Sequence, residues 1–170
     1  MKKALVVIDF QNDFISGSLG FPKAETIRTP IVNKINNALK NNIDLIFTMD
    51  THDTDYLETF EGKNLPIPHC IKNTWGWELD NSILPFKDKA TVIEKSTFGS
   101  LELAKLLTLN GYDEVELCGL VTSICVLSNA VLARTYLPAT KIVVDPNATE
   151  DASEKASALA CLKAIQVSIA

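Results

Sequence analysis

Histidine is scarce in this chain: there are two in 170 residues, His52 and His69. Cysteine is sparse too, and the four present (Cys70, Cys118, Cys125 and Cys161) include no Cys-x-x-Cys pair. That spacing excludes a zinc ribbon or a disulfide framework, and it suits a reducing cytoplasm, where free thiols persist. An excess of positive charge is missing, since 16 Lys and Arg face 21 Asp and Glu for a net charge of −5. Nucleic acid and anionic membrane surfaces are therefore poor partners. No apolar run approaches the ~20 residues that cross a bilayer. The opening MKKALVVIDF has the basic start of a signal peptide, but Asp9 interrupts its apolar run and no small-residue cleavage site follows, so it reads as a first strand. No Gly-x-Gly-x-x-Gly follows that strand, which removes the dinucleotide fingerprint. Internal repeats, low-complexity tracts and linkers are absent as well.

What remains is a globular composition, 46% apolar and 22% charged, in a length that fits one domain with a sizeable core. Short β-branched runs at 4–10, 44–50, 90–96, 114–120 and 140–146 read as strands, with a weaker sixth in AIQVSIA at the end. Helical patterns lie between them: 25–42, 100–111, 123–137 and 153–164. Pro30 suits an early turn of the first, while Ser100 can cap the second and Gly111 can end it. Near-continuous apolar strands alternating with helices point to a parallel sheet covered on both faces. The expected fold is a single-domain three-layer α/β/α sandwich over residues 1–170, with a mostly parallel sheet of five or six strands. Residues 51–89 break the rhythm. They hold both histidines and both tryptophans, and a loop of that length in a compact domain is usually functional.

Open α/β sheets bind ligands beyond the carboxyl ends of their strands. Five reactive side chains fall there: Asp9 after the first strand, Asp50 and His52 at the second, Lys95 at the third and Cys125 after the fourth. Cys125 is expected in the first turn of a helix capped by Thr122 or Ser123. The helix N-terminus and a neighbouring Lys95 would lower its pKa, and Asp9 could take its proton. A buried apolar filler is the other reading of Cys125, and Lys95 could equally pair with Glu94 on the surface. Asp50-Thr-His52, joined by His69, offers a carboxylate and two imidazoles. That set suits a divalent ion such as zinc, iron or manganese, or three satisfied polar residues beside a cleft.

VVIDFQNDF, IEKSTFGS and GLVTSICV, in this order and spacing, resemble the three signatures of the isochorismatase-like cysteine hydrolases, which include the nicotinamidases. The resemblance covers nearly the whole chain, and the third signature is the most specific. It implies a triad of Asp9, Lys95 and Cys125, and a non-proline cis peptide between Leu120 and Val121. It also implies an oxyanion site formed by the N–H groups of Val121 and Cys125, and a homo-oligomer, dimer or tetramer. TMDTHD and PIPHC resemble the metal segments of nicotinamidases, which implies an ion on Asp50, His52 and His69, with Glu61 a further candidate outside any motif. The implied reaction is hydrolysis of a small amide through a cysteine thioester. Two departures bear on the substrate. Pro66 stands where nicotinamidases usually carry the aromatic residue that stacks on the pyridine ring, and a histidine found in some members after the first pair is absent. Phe14, Trp75 or Trp77 would then supply the aromatic wall. The alternatives are vinyl-ether hydrolysis of isochorismate, which leaves Cys125 and the histidines unexplained, the carbamoyl-amide branch, and a non-catalytic binding or redox protein on the same fold.

Overall fold

The structure, a computed structural model, describes all residues from Met1 to Ala170. Six strands form one sheet: β1 (Lys3–Ile8), β2 (Asp44–Asp50), β3 (Thr91–Lys95), β4 (Glu114–Leu120), β5 (Lys141–Glu150) and β6 (Ser168–Ile169). Their order is β3-β2-β1-β4-β5-β6, and every pairing is parallel. The sandwich expected from the apolar runs is therefore present, with the weak sixth strand reduced to two paired residues.

Side-chain alternation explains why β1 reads as an unbroken apolar run. Ala4, Val6 and Ile8 enter one core, and Leu5 and Val7 enter the other. The first core is closed by α4 (Leu101–Asn110), α5 (Leu127–Tyr136) and α6 (Lys155–Ala164), through Leu103, Leu107, Ala130, Ala133 and Leu162. The second is closed by α1 (Asn12–Ile15), through Phe14 and Ile15, and by α2 (Arg28–Lys40), through Ile31, Ile35 and Ala38. Ser100 caps α4 by accepting from Leu103 N–H at 3.0 Å, and Gly111 ends it in the left-handed region. Pro30 lies in the first turn of α2, as its lack of an N–H requires.

Residues 51–89 are less of a loop than their composition suggests. They contain 3₁₀ turns at Tyr56–Glu58 and Leu84–Lys89 and a short helix, α3 (Phe60–Asn64). Cys70, Leu79 and Ile83 of this segment are buried in the second core, so it completes a layer while reaching over the sheet's carboxyl rim.

Two more departures shape that rim. The strand expected to end at Pro146 continues to Glu150, because residues 145–148 bulge out and pairing resumes at Gly119↔Thr149 and Leu120↔Glu150. A bulge tolerates proline, which has no N–H for the ladder. The segment after β4 is also no ordinary capped helix start. Thr122–Val126 form a π-helical turn, closed by Val126 N–H donating to Val121 C=O at 3.1 Å, and neither Thr122 nor Ser123 caps it. The opposite rim carries only short connections, around Asn41–Ile43, Gly111–Asp113 and Pro138–Thr140.

Candidate active site

Asp9 is the first residue past β1, at a φ of 44° that turns it off the strand line. Its carboxylate is fully buried and lies 2.6 Å, through Oδ2, from Lys95 Nζ at the end of β3. Lys95 Nζ in turn lies 3.8 Å from Cys125 Sγ and donates to the Thr97 carbonyl at 2.9 Å. Glu94, the surface partner that the sequence allowed, pairs instead with Lys72 at 2.6 Å. β1 and β4 are adjacent, and their ends come very close. Gly119 has a φ of 112°, and a Cβ there would collide with the Ile8 carbonyl, so only glycine fits. The Leu120–Val121 peptide that follows is cis, and the π-helical turn delivers Cys125 to the two charges. No turn or cap hydrogen bond uses the N–H of Val121 or Cys125.

The electrostatics correct one expectation. Burial, reinforced by the Asp9 charge, holds the Cys125 thiol well above its usual pKa in spite of Lys95. The resting sulfur is therefore a protonated thiol, and a local proton acceptor is needed to activate it. Burial also raises Asp9, against the opposing pull of Lys95. Burial alone would lower Lys95, but Asp9, Cys125 and Asp50 outweigh it and keep the ammonium charged. Asp9 Oδ2 is paired with the Lys95 ammonium at 2.6 Å, and its second lone pair remains to accept a proton.

The second cluster begins one strand away. Asp50, at the end of β2, has Oδ2 at 3.2 Å from His52 Nε2 and 3.3 Å from His69 Nε2. The three ligand atoms lie within 4.8 Å of one another, all on buried residues. Tetrahedral bonds of ~2.0 Å to zinc place neighbouring ligand atoms ~3.3 Å apart, so the two spacings from Asp50 to the histidines fit such an ion. His69 Nδ1–H donates to the Ile67 carbonyl at 2.9 Å, which fixes the tautomer and leaves the Nε2 lone pair for a ligand. Glu61, on α3, brings Oε1 to 3.6 Å from His69 Nε2 and 3.8 Å from His52 Nε2. Burial favours the neutral form of Asp50, yet the two imidazoles against its Oδ2 and the charge of Lys95 hold its pKa well below the usual carboxylate range. Lys95 reaches Asp50 Oδ1 at 3.7 Å and so touches both clusters.

Several positioning residues carry no signal in a single sequence. Gln11 donates to the carbonyls of Asp50 and Trp77 and accepts from Asp50 N–H, all within 2.8 Å. Asp13 is buried and accepts from the N–H groups of Cys70 and Ser18. It packs so closely on Gly76 that any side chain there would displace it. Together these residues strap the His69 segment to the start of the chain. Asp151, beyond β5, accepts from Ser123 N–H at 2.9 Å and Ser123 Oγ–H at 2.5 Å, while Asn129 donates to the Cys125 carbonyl at 2.8 Å.

A cavity of about 610 Å³ opens beside His52 and Glu61, with Phe60, Phe98 and Ile124 in its wall. Phe14 and Trp75 do not line it. Phe14 is buried edge-on to His69 at 5.7 Å, and Trp75 is 57% exposed on the loop. Trp77 is anchored through its indole N–H to Thr51 Oγ1 at 2.8 Å.

Fold and site together define an α/β sandwich enzyme with its reactive groups gathered on one rim. The isochorismatase domain model matches residues 3–167, and the chain belongs to that family. Within the family it is nicotinamidase-like, on the side of hydrolases acting on carbon–nitrogen amide bonds. The crystal structure of the nicotinamidase/pyrazinamidase PncA of Bacillus subtilis superposes with a TM-score of 0.88 at 30% identity, covering 100% of both chains. The pyrazinamidase of Pyrococcus horikoshii, solved in complex with zinc, gives 0.85 at 27% identity, covering 100% of this chain and 99% of that one. The nicotinamidase of Saccharomyces cerevisiae is 27% identical over 84% of this chain and 86% of its own.

Proposed function

We propose that the chain hydrolyses a small carboxamide of the nicotinamide class to the acid and ammonia through a thioester on Cys125. The observation that carries this reading is the meeting of Asp9, Lys95 and Cys125 beside the Asp50, His52 and His69 cluster. Asp9 Oδ2 takes the thiol proton as sulfur attacks the amide carbonyl, and the N–H groups of Val121 and Cys125 face the oxyanion. Donors of this kind are each worth ~10²–10³ in rate. Asp9 then returns the proton to the departing nitrogen, the C–N bond breaks and ammonia leaves. It next accepts a proton from water, whose oxygen attacks the thioester; the C–S bond breaks and the thiol is restored. Lys95 balances the carboxylate and the developing thiolate throughout.

Asp50, His52 and His69, with Glu61 adjacent, would hold a divalent ion, zinc, iron or manganese. Such an ion supplies a Lewis-acid seat for a ring nitrogen of the substrate. Pro66 is exposed and offers no stacking face, so nicotinamide should bind less tightly than in a dedicated nicotinamidase. The four free cysteines support a reducing cytoplasm as the compartment, and the family resemblance supports a homo-oligomer.

The test is ammonia release from nicotinamide, with metal content measured alongside. Cys125→Ala should abolish release, while Cys118→Ala and Cys161→Ala keep it. Chelation should remove about one ion per chain together with the activity, and zinc should restore both. Full activity in metal-free protein would take the ion out of the mechanism; full activity in Cys125→Ala would end the thioester reading.

A further inference from the structure

Thr48 lies within β2, wholly buried, in a run of residues that otherwise build the core. Its hydroxyl is not idle. Thr48 Oγ1–H donates to Asp9 Oδ1 at 2.6 Å, and the same oxygen accepts from Asp9 N–H at 3.1 Å. The Thr48 carbonyl receives that N–H as well, at 3.2 Å. One residue on the neighbouring strand thus holds both the backbone and the carboxylate of Asp9, at the point where the chain leaves β1 with positive φ.

The consequence is a division of labour between the two carboxylate oxygens. Oδ1 is occupied by the threonine. Oδ2 is paired with Lys95 Nζ at 2.6 Å, on the side from which Lys95 also reaches Cys125. Rotation about the Asp9 side chain would exchange the two oxygens or swing both away from the sulfur. A short hydrogen bond to a charged acceptor is strong enough to prevent it. We propose that Thr48 is a positioning residue for the amide hydrolysis: it locks the Asp9 carboxylate so that Oδ2 alone faces the thiol proton. A buried valine would have served packing equally well, so the hydroxyl is the part of Thr48 that the fold does not require.

This inference rests on Asp9 acting as the base, and the experiment separates the two. Nicotinamide turnover is measured for Thr48→Val, Thr48→Ser, Thr48→Ala, Asp9→Asn and the Asp9→Asn/Thr48→Val double variant, each loaded with zinc. Misplacing a reacting group by about an ångström costs up to ~10²-fold. Thr48→Val should therefore lose about 10- to 100-fold in kcat with KM within about twofold, and Thr48→Ser should recover most of the loss. In the Asp9→Asn background, Thr48→Val should add almost nothing, because the group it positions is gone. Where Thr48→Val does not fold, the Ser and Ala variants carry the same comparison, since they differ only in the hydroxyl. Wild-type kcat in Thr48→Val, or equal losses in Ser and Ala, overturns the role of Thr48. Wild-type kcat in Asp9→Asn overturns the base itself, and the positioning role with it.

Discussion

At Lys95 a single ammonium lies 2.6 Å from Asp9, 3.7 Å from Asp50 and 3.8 Å from the Cys125 sulfur. Removing it would leave the fully buried Asp9 without a counter-charge. Breaking one side of a buried pair costs ~3–5 kcal/mol, so Lys95→Met should lower the urea midpoint sharply and lose activity. Adding Asp9→Asn to the same chain should recover most of the stability and none of the turnover. With Asp9 as the proposed base, its state would also set the acid side of catalysis. Burial raises its pKa above the ordinary 3.8, and it accepts a proton only when ionised, so kcat/KM should fall as pH drops through a value above 3.8. With zinc in excess, a profile flat down to pH 3.8 would contradict this. For stability the sign is opposite: the neutral carboxyl favours the fold, and that contribution is lost as pH rises through the raised pKa. Asp9, Lys95 and Cys125 could be read from the sequence because strand ends mark themselves by the loss of an apolar run. Thr48 and Asp151 could not, since their partners lie 39 and 28 positions away and nothing local distinguishes them.

Among the elements, the π-helical turn Thr122–Val126 is the one most dependent on its neighbours. Thr122 Oγ1 meets Thr149 Oγ1 at 2.8 Å, and Asp151 takes Ser123 on one oxygen and the N–H groups of Ser153 and Glu154 on the other. The extension of β5 past Pro146 puts these groups in place. Asp151→Ala would leave those donors without their acceptor, at ~1–3 kcal/mol for a buried one, and would free the turn that carries Cys125. We expect a lower melting temperature and a kcat reduced by ~10²-fold, with metal content unchanged. If kcat held while stability fell, Asp151 would matter only to the fold. Hydrogen bonds hold the Asp151 carboxyl below its usual pKa against burial, so its stabilisation is present at neutral pH and lost as pH falls through the folded value. Periodicity located all six strands and the main helices. It did not reveal the bulge, which needs knowledge of what β4 pairs with. Nor did it show that residues 51–89 form part of a layer, because Cys70, Leu79 and Ile83 are too widely spaced to read as a face.

For the whole molecule, no helix is long and apolar enough to cross a membrane, and two cores of similar extent lie on either side of a single sheet. In sheet order, the strand ends present Lys95, Asp50, Asp9 and Cys125, with Asp151 just past β5, so five neighbouring strands each contribute one group to a row. All five lie on the same rim. The other rim therefore tolerates surgery. Lengthening a flexible surface connection adds only ~0.6 kcal/mol per doubling. A six-residue Gly-Ser insert between the exposed Asn41 and Asn42 should leave nicotinamide turnover within about twofold of the parent chain. The same insert between Thr97 and Phe98, equally exposed, should abolish turnover by pulling the Thr97 carbonyl off Lys95. Equal losses at both places would mean that the connections, rather than the row of strand ends, hold the site together. The molecule can accordingly be tethered, permuted or fused through its back edge while its front remains a working surface.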